Sequence, residues 1–286
     1  MNSEFPLISI VVPSYNQGQF IEDTLLSILN QDYPNLEVIV IDGGSTDKTV
    51  NVLERYSQNI TFVSESDDGQ SHAINKGFRM VKGSFVTWLN SDDIYPDRGA
   101  ISKIYYEFCK DPLVDLVYGN FIEIDTNNCV LKIYKRPKYS HNMLLRIGYI
   151  SQPATFFRRR VIDSMLVRED LNYVMDLEYW LRAHKLKFKF KHTNCLIAAE
   201  RIHDDAKCVK DSKDMMFEAR EIRESYGAKY NKFHSFHRFM DRIFLYALRC
   251  SAIPDLFFYK SSPKKLTIPL KFEGAVSRTL SFHLTK

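Results

Sequence analysis

The sequence predicts an α/β fold in which a mostly parallel, Rossmann-like central sheet is flanked by helices, with a helical C-terminal extension. Two observations predict it. Short apolar runs alternate four times with segments of helical spacing in the first part of the chain, which is typical of a parallel sheet covered by helices on both faces. From residue 208 onward, helical patterns rich in aromatic and basic residues replace this alternation.

Four β-rich apolar runs predict the strands of the first part. They are Leu7–Val12, Leu36–Ile41, Ile60–Val63 and Phe85–Leu89. Polar or acidic residues follow each run, at Ser14 to Asn16, Asp42, Asp67 and Asp92. Because the carboxyl ends of neighbouring parallel strands lie side by side, we expect these residues to converge on one crevice. Separate acidic loops are the alternative.

The middle of the chain has a different pattern. The predicted elements are strands at Leu116–Ile124 and Val130–Tyr134, an extended segment at Ser151–Phe157, a helix at Tyr173–Lys185, and strands at Phe188–His192 and Leu196–Arg201. We therefore divide the chain into a domain of residues 1–207, with halves 1–112 and 113–207, and an extension of residues 208–286.

Composition restricts the class of protein. The 286 residues are 45% hydrophobic and 26% charged, which are globular values. The five cysteines are odd in number and form no Cys-x-x-Cys pair, so neither a disulfide framework nor a zinc site is expected. With no signal peptide and no apolar run long enough to span a membrane, the sequence predicts a cytoplasmic protein.

Charge is unevenly distributed. The net charge is +4, but residues 229–286 carry 11 Lys/Arg against 3 Asp/Glu, or +8. Within this segment, apolar residues from Phe236 to Leu248 follow one face of a helix whose other positions include Arg238, Arg242 and Arg249. Such a helix can lie on the cytoplasmic face of an anionic membrane as a peripheral contact; packing on the main domain is the alternative. The aromatic residues form no stacking motif, so no nucleic-acid partner is expected.

The stretch Trp88–Asp93 carries the first chemical signal. A hydrophobic strand ends in Asn90, Asp92 and Asp93. Mg²⁺ and Mn²⁺ prefer oxygen ligands, and Mg²⁺ typically takes one or two carboxylates together with substrate phosphates. The stretch therefore suits a metal that bridges the protein to a diphosphate; a solvated acidic turn is the alternative.

Four ordered motifs resemble the inverting family 2 glycosyltransferases with the GT-A fold. They are Pro13–Asn16, Ile41–Asp47, Gly69–Gly77 and Trp88–Asp93, the last belonging to a Trp-Leu-Asn-Ser-Asp-Asp subgroup. The strong part of the resemblance covers Pro6 to Gly99, and a weaker part extends to Lys207. It implies inverting transfer of a hexosyl or N-acetylhexosaminyl group from a nucleotide-diphosphate sugar, usually a UDP-sugar, with Mg²⁺ or Mn²⁺. It also implies that the acceptor is a hydroxyl of a saccharide or lipid-linked molecule, as in surface polysaccharide biosynthesis.

The resemblance also implies roles for individual residues. Asp92 binds the metal, His203 closes over the metal and diphosphate, and Asp176 is the general base. The nucleotide-sugar contacts are assigned to Pro13, Tyr15, Asp42, Asp67, Asn75, Lys76, Asn90 and Asp93.

Two departures from the family pattern concern the donor site. Asn90 occupies the first position of the Asp-x-Asp pattern. Ile74 and Asp68 stand where many relatives carry arginine, so a positive diphosphate contact is missing, and Lys76 and Arg201 are candidate replacements.

The chemistry leaves alternatives at the base and for the whole protein. Inversion needs one base within hydrogen-bond reach of the acceptor hydroxyl; Asp176 fits, and Glu178 competes with it. A nucleotidyltransferase would share the sheet and the acidic site, but Pro13–Gly18 lacks the basic residue that its glycine-rich loop usually carries. A non-catalytic sugar-nucleotide-binding or scaffold protein would need neither Asp176 nor His203.

Overall fold

The structure is a computed structural model that describes residues 5–204, 211–230, 232–250, 266–269 and 279–284. The predicted boundary at 207/208 lies outside these residues, as do Cys208 and the side chains of Arg249 and Cys250. Strands from all parts of the chain form one mixed sheet in the order β3-β2-β1-β4-β7-β5-β6-β10-β9, with β8 paired to β5.

The first half of the sheet is parallel, as predicted. Its strands are β1 (Ile8–Ser14), β2 (Leu36–Asp42), β3 (Thr61–Ser64) and β4 (Phe85–Trp88), and its helices are α1 (Ile21–Leu29), α2 (Thr49–Arg55), α3 (Gln70–Met80) and α4 (Ala100–Lys110). The helices form because apolar residues recur at helical spacing, and those residues pack on the sheet. A β-carbon at Gly77 of α3 would lie 2.3 Å from Val11 Cγ1 of β1, so glycine permits this close contact.

The second half makes the sheet mixed. Its elements are β5 (Leu116–Ile124), β6 (Cys129–Tyr134), α5 (His141–Leu144), β7 (Thr155–Arg158), α6 (Arg159–Ser164), α7 (Met175–Lys185) and β8 (Phe190–Arg201). Strand β7 runs antiparallel to both β4 and β5 and therefore joins the two halves. Strand β8 is continuous where two strands were predicted. Register shifts near Asn120 of β5 place Tyr118 opposite His192 and Asn120 opposite Leu196, so the intervening residues of β8 remain within one strand.

The C-terminal region contains the predicted helices, α8 (Ser212–Ser225) and α9 (Lys232–Cys250). It also contains two strands that were not predicted, β9 (Leu266–Pro269) and β10 (Thr279–Leu284), which are antiparallel to each other. β10 pairs with β6, so the region is not purely helical. Ala219 and Ile222 of α8 belong to the same hydrophobic core as α7.

A pair of tryptophans links the first half of the sheet to α7. Trp88, at the end of β4, stacks on Trp180 of α7 with ring centroids 5.8 Å apart and planes 17° apart. Both side chains are fully buried. The contact holds the first turn of α7 close to the loop that follows β4, which places Asp176 near the acidic motif.

Candidate functional site

A cavity of about 1370 Å³ opens at the carboxyl ends of the parallel strands. One side is formed by the ends of β1 and β4 and by the loops after β2 and β3. The other side is formed by the start of α7, the end of β8 and residues of α8 and α9. The predicted site residues that line it are Pro13, Tyr15, Asp67, Asn90, Asp92, Asp93, Asp176 and His203.

Pro13, Tyr15 and Asp67 line the cavity where β1 and β3 end. Tyr15 is 62% exposed, so its ring is available as a flat contact surface. A β-carbon at Gly43 would lie 2.9 Å from Asp67 Oδ2, so glycine allows Asp67 to lie against the end of β2. The carboxylate of Asp67 also accepts a hydrogen bond from the Gly69 amide at 2.9 Å, directly before α3.

Asp42 has a different environment from the one expected. It is fully buried and is not among the cavity residues. Its carboxylate accepts hydrogen bonds from the amide and hydroxyl of Ser45, at 2.9 and 2.5 Å, and from the Ser64 hydroxyl at 2.7 Å. In this structure Asp42 stabilises the turn after β2 and does not face the cavity.

The acidic motif after β4 is held by specific hydrogen bonds. Asn90 accepts from Gln70 Nε2 at 2.8 Å and donates to Asp93 Oδ2 at 3.2 Å. The Arg201 amide donates to Asp93 Oδ1 at 3.0 Å. Burial, together with the charges of Asp92 and Glu200, raises the pKa of Asp93 well above its usual range. Asn90 therefore orients the second carboxylate of the motif.

Asp92 is paired with His203, with Oδ2 and Nε2 3.0 Å apart. The imidazole is largely buried and its ring centroid lies 4.9 Å from that of Phe20. The two residues are 111 positions apart in the chain, and both lie where β4 and β8 end. No group of three or more His, Cys, Asp or Glu side chains suitable for a metal occurs in the part of the chain that the structure describes.

The buried side chain of Arg201 holds the loops around the acidic motif. Its guanidinium donates to the Asp92 carbonyl at 2.9 Å, to the Asp125 carbonyl at 3.1 Å and to Asn128 Oδ1 at 2.7 Å. Burial lowers its pKa. Arg201 is in the cavity wall, but three of its hydrogen bonds stabilise loops.

Asn75 and Lys76 do not reach the cavity. Asn75 is buried, and its amide donates to the Val167 carbonyl at 2.8 Å and to Glu169 at 2.6 Å. Lys76 forms an ion pair with Glu65. The helical period places Asn75 on another face than Gln70 and Ala73, which do line the cavity. Lys76 is a neighbour of Ala73 on the helix, but its ammonium is held by Glu65.

Asp176 lies in the first turn of α7 and lines the cavity, whereas Glu178 does not. Burial raises the pKa of Asp176 to about 6, although the Leu177 amide and the charge of Arg223 favour its ionised form. Glu178 is almost fully buried, accepts from the Tyr226 hydroxyl at 2.7 Å and pairs with Arg182 at 3.0 Å. Its contacts are structural.

Glu200 is a cavity carboxylate that the sequence did not single out. It accepts a hydrogen bond from the Ser151 hydroxyl at 2.5 Å, and burial raises its pKa to about 7. The charge of Glu200 contributes to the raised pKa of Asp93, and the charge of Asp176 contributes to the raised pKa of Glu200. The only signal in the sequence was its place directly before Arg201 at the end of a predicted strand.

Arginines from the C-terminal helices also line the cavity. This corrects the prediction for Arg238 and Arg242, which were expected to contact an anionic membrane. Arg238 and Arg242 of α9 face the cavity with Leu245, and Arg220 and Arg223 of α8 lie beside them. The positions 238, 241, 242 and 245 share one face of α9 because residues three and four apart are neighbours on a helix.

The apolar face of α9 is exposed. The alternative prediction, in which this face packs on the main domain, would have buried it. Phe236 and Phe239 are 59% and 60% exposed, and Ile243 and Phe244 are exposed as well. Asp241, on the opposite face, is buried and forms an ion pair with Arg146. The helix therefore packs through its charged face. None of the helices in the described ranges is long and apolar enough to cross a membrane.

Solved structures share the architecture of this chain. The fold resembles Staphylococcus aureus TarS residues 1–349 in complex with UDP-GlcNAc, with a TM-score of 0.62 and 18% identity over 79% of this chain and 68% of that one. It also resembles the mannosyltransferase PcManGT from Pyrobaculum calidifontis in complex with GDP-Man and Mn²⁺, with a TM-score of 0.57 and 18% identity over 78% and 74% of the two chains. The predicted GT-A fold is confirmed.

The family is established by sequence. Residues 9–166 match the family described as Glycosyl transferase family 2, and the chain belongs to it. Among its relatives, an Escherichia coli chondroitin synthase is 30% identical over 72% of this chain and 30% of its own length. An uncharacterised glycosyltransferase of Rickettsia typhi is 26% identical over 71% of this chain and 66% of its own length. The chain thus spans less than two thirds of these relatives.

Proposed function

We propose that this protein transfers a hexosyl or N-acetylhexosaminyl group, with inversion, from a nucleotide-diphosphate sugar to a hydroxyl of a saccharide or lipid-linked acceptor. The observation that carries the proposal is that Asp92 with His203, and Asp176, line one cavity at the carboxyl ends of the parallel strands. The two groups needed, a metal-binding pair and a base, thus share one space large enough for a donor and an acceptor sugar.

The donor set at Asp92 fits a divalent metal. A carboxylate oxygen and an imidazole nitrogen lie 3.0 Å apart, so both can contact one ion. Two protein ligands leave the remaining positions to diphosphate oxygens and water, which is how Mg²⁺ is commonly held at phosphate sites. Asp92 and His203 would hold Mg²⁺ or Mn²⁺, and the ion would neutralise charge on the leaving diphosphate. Arg201, behind the Asp92 carbonyl, holds this loop in place.

The nucleotide would lie where Pro13, Tyr15 and Asp67 line the cavity. The exposed ring of Tyr15 offers a stacking surface for a base, and Asp67 offers a carboxylate to a base or ribose hydroxyl. The two structural neighbours are complexes with a UDP-sugar and a GDP-sugar, respectively. We favour a UDP-sugar for this chain on its motif resemblance.

Asp176 would take the proton from the acceptor hydroxyl. A base with a pKa of about 6 is ionised at neutral pH and is still basic enough to accept a proton as the new bond forms. The carbon–oxygen bond to the sugar forms from one face of the anomeric carbon, and the bond to the diphosphate breaks on the opposite face. The stacking of Trp88 on Trp180 holds the helix that carries Asp176 against the strand that precedes Asp92.

We further propose that the acceptor is lipid-linked and is used at the cytoplasmic face of a membrane, in surface polysaccharide biosynthesis. The support is the exposed apolar face of α9, whose opposite face lines the cavity. A helix with this arrangement can contact a bilayer while its other side contacts a substrate anchored there.

Calorimetry with UDP and Mn²⁺ tests the metal-dependent donor site. Asp92→Ala should weaken UDP binding at least tenfold in the presence of Mn²⁺, since a charge-assisted contact to the metal–diphosphate unit is lost. Glu54→Ala, at an exposed carboxylate of α2 outside the cavity, is the control and should bind UDP like the unmodified protein. Equal UDP affinity with and without Mn²⁺, or in Asp92→Ala, would contradict the metal assignment.

Two other functions predict different results. A scaffold protein of the same fold would bind UDP-sugars without releasing UDP, even with added acceptors. A nucleotidyltransferase would release diphosphate from a nucleoside triphosphate in the presence of a sugar phosphate. Assaying UDP release and diphosphate release in parallel separates the three.

A further inference from the structure

We infer that the acceptor carries a negatively charged group, a carboxylate or a phosphate, and that Arg223, Arg238 and Arg242 form the subsite that binds it. The inference rests on the proposed function, because it assigns a substrate class to the acceptor end of the same cavity. Arg223 comes from α8, and Arg238 and Arg242 come from consecutive turns of α9. All three line the cavity.

The arginine face of α9 is turned toward the cavity by a specific contact. Asp241, between Arg238 and Arg242 in sequence, is buried and forms two hydrogen bonds with the Arg146 guanidinium. This ion pair fixes the rotation of α9 about its axis. Because Arg238 and Arg242 are one turn apart, both guanidiniums are presented on the same side as Asp241.

Among the residues that the structure describes, the three arginines lack the ion pairs that neighbouring arginines form. No carboxylate there pairs with Arg223, Arg238 or Arg242, whereas Arg146 and Arg220 are paired with Asp241 and Glu224. The Nε of Arg238 is buried and has no hydrogen-bond partner within the described ranges.

Arg223 is buried, and its Nε donates a long hydrogen bond, 3.4 Å, to the Leu144 carbonyl. Burial and the nearby charge of Arg238 lower the pKa of Arg223, whereas a hydrogen bond with Tyr230 and the charge of Asp176 raise it. Arg238 is half-buried and Arg242 is exposed. A buried guanidinium beside a second one is costly unless an anion accompanies the pair. The arrangement therefore favours a bound anion.

Contacts between α7 and α8 place this subsite beside the base. The Glu218 carboxylate of α8 accepts hydrogen bonds from the Tyr173 and Val174 amides, shortly before Asp176, and Arg223 lies on the same helix as Glu218. The charge of Arg223 also favours the ionised form of Asp176. An acceptor whose hydroxyl reaches Asp176 would extend toward Arg223 and α9. A donor diphosphate would lie at Asp92 and His203, which follow the ends of β4 and β8.

Guanidinium groups bind carboxylates and phosphates with paired N–H donors, so the shared chemistry is an oxyanion. A uronic acid residue would supply a carboxylate, and a phosphorylated sugar or lipid-linked phosphate would supply a phosphate. The two sources are distinguished by separate probes.

The test measures binding of small probes to the full chain saturated with UDP and Mn²⁺. Glucuronate and glycerol 3-phosphate are the anionic probes, and glucose and glycerol are their neutral counterparts, each titrated by ligand-detected NMR or calorimetry. We expect at least one anionic probe to bind at least tenfold more tightly than its neutral counterpart, and to weaken as salt rises. Whichever anion binds more tightly identifies the source.

The variant Arg238→Gln/Arg242→Gln should lose at least tenfold in affinity for that probe, because two charge-assisted contacts are removed. Lys213→Gln, an exposed basic residue of α8 outside the cavity, is the matched control and should bind the probe normally. UDP affinity in the presence of Mn²⁺ should be the same in all three proteins.

Three results would overturn the inference. These are equal binding of anionic and neutral probes, an unchanged anion affinity in the double variant, and a loss of UDP affinity in that variant, which would assign the arginines to the donor. Failure of the proposed function is separately visible, because the unmodified protein would then either not bind UDP with Mn²⁺ or bind UDP-sugars without releasing UDP when acceptors are added.

Discussion

Asp176 and Glu178 lie two positions apart in one helical turn, yet the structure gives them different surroundings. Two positions on a helix are about 200° apart, so they cannot face the same side. Asp176 lines the cavity and Glu178 is enclosed by Tyr226 and Arg182. The sequence could nominate both, but only the packing of α7 decides which carboxylate meets the substrate.

We predict that Asp176→Asn lowers kcat by about 10²- to 10⁴-fold while donor binding is retained, since general-base catalysis is typically worth that much. Glu178→Gln should keep most of its turnover but unfold at lower temperature, because a buried hydrogen-bonded charge is lost, at about 1–3 kcal/mol. Turnover and thermal unfolding measured on both variants check this. Near-normal kcat in Asp176→Asn, with a collapse in Glu178→Gln, would reverse the assignment.

Asp176 should also destabilise the folded protein at neutral pH. Its pKa is raised from 3.8 to about 6 on folding, so the folded state holds the proton more tightly than the unfolded state. The contribution of Asp176 to the free energy of unfolding therefore falls as pH rises from about 4 to about 6.

The variant Asp176→Asn lacks this titration. Its free energy of unfolding relative to the unmodified protein should be near zero at pH 4 and more favourable by up to about 3 kcal/mol at pH 7, at 1.36 kcal/mol per pKa unit. Urea denaturation across this range measures the difference. Asp163→Asn, an exposed carboxylate of α6, is the control and should show little dependence on pH. If the difference between Asp176→Asn and the unmodified protein did not depend on pH, folding would not raise the pKa of Asp176.

At the scale of elements, α8 determines how α7 begins. The carboxylate of Glu218 accepts hydrogen bonds from the amides of Asn172, Tyr173 and Val174, at 2.8 to 2.9 Å. Amides at a helix start lack partners within the helix, so a carboxylate there satisfies them and interacts favourably with the helix dipole. The first turn of α7, with Asp176, is therefore held by a residue 42 positions further along the chain. The prediction of a separate extension from residue 208 did not anticipate this contact.

Helix α9 reverses the usual orientation of an amphipathic helix, because its charged face packs inward and its aromatic face is exposed. We predict that the protein binds vesicles through this face. Phe236→Ser/Phe239→Ser should reduce co-sedimentation with liposomes at least tenfold, since burying one Phe is worth roughly 1.5–3 kcal/mol. Leu113→Ser, at a residue 61% exposed just before β5, is the control.

The salt dependence of vesicle binding should be weaker than the sequence alone suggested, because Arg238 and Arg242 face the cavity. No binding to vesicles at any salt concentration would contradict the membrane contact.

At the scale of the whole molecule, the donor motif and the base belong to different halves of the chain, which one sheet and the Trp88–Trp180 stack hold together. A ligand that bridges the halves should stabilise the whole fold. UDP with Mn²⁺ at 100 times its Kd should add about 2.7 kcal/mol to the free energy of unfolding. For a chain of this size, that corresponds to a rise in Tm of about 5–10 °C.

A thermal-shift panel of nucleotides with and without Mn²⁺ checks this prediction. GDP serves as the matched nucleotide, since it has the same diphosphate and a different base, and it should give the smaller shift. A larger shift with GDP would mean that the donor is not a UDP-sugar. Shifts that are the same without Mn²⁺ would remove the bridging role of the metal.

The sequence by itself determined the alternation of strands and helices in the first half, the acidic ends of the strands, and the motifs after β1 and β4. These are local properties, because the periodicity of apolar side chains and the ends of strands depend on residues that are close in the sequence. It also nominated Asp92, because a carboxylate pair follows the end of a strand, where ligands bind in α/β sheets. The resemblance to the family nominated Asp176 and His203.

Only the tertiary structure decided which of the nominated residues meet in the cavity. Asn75, Lys76 and Asp42 lie in the recognised motifs, but helix rotation and turn hydrogen bonds direct them elsewhere. Glu200 and the arginines of α8 and α9 carry no motif, and they enter the cavity because strand pairing and one ion pair, Arg146 with Asp241, bring distant segments together. Contacts between residues far apart in the chain depend on packing geometry, which no local pattern records.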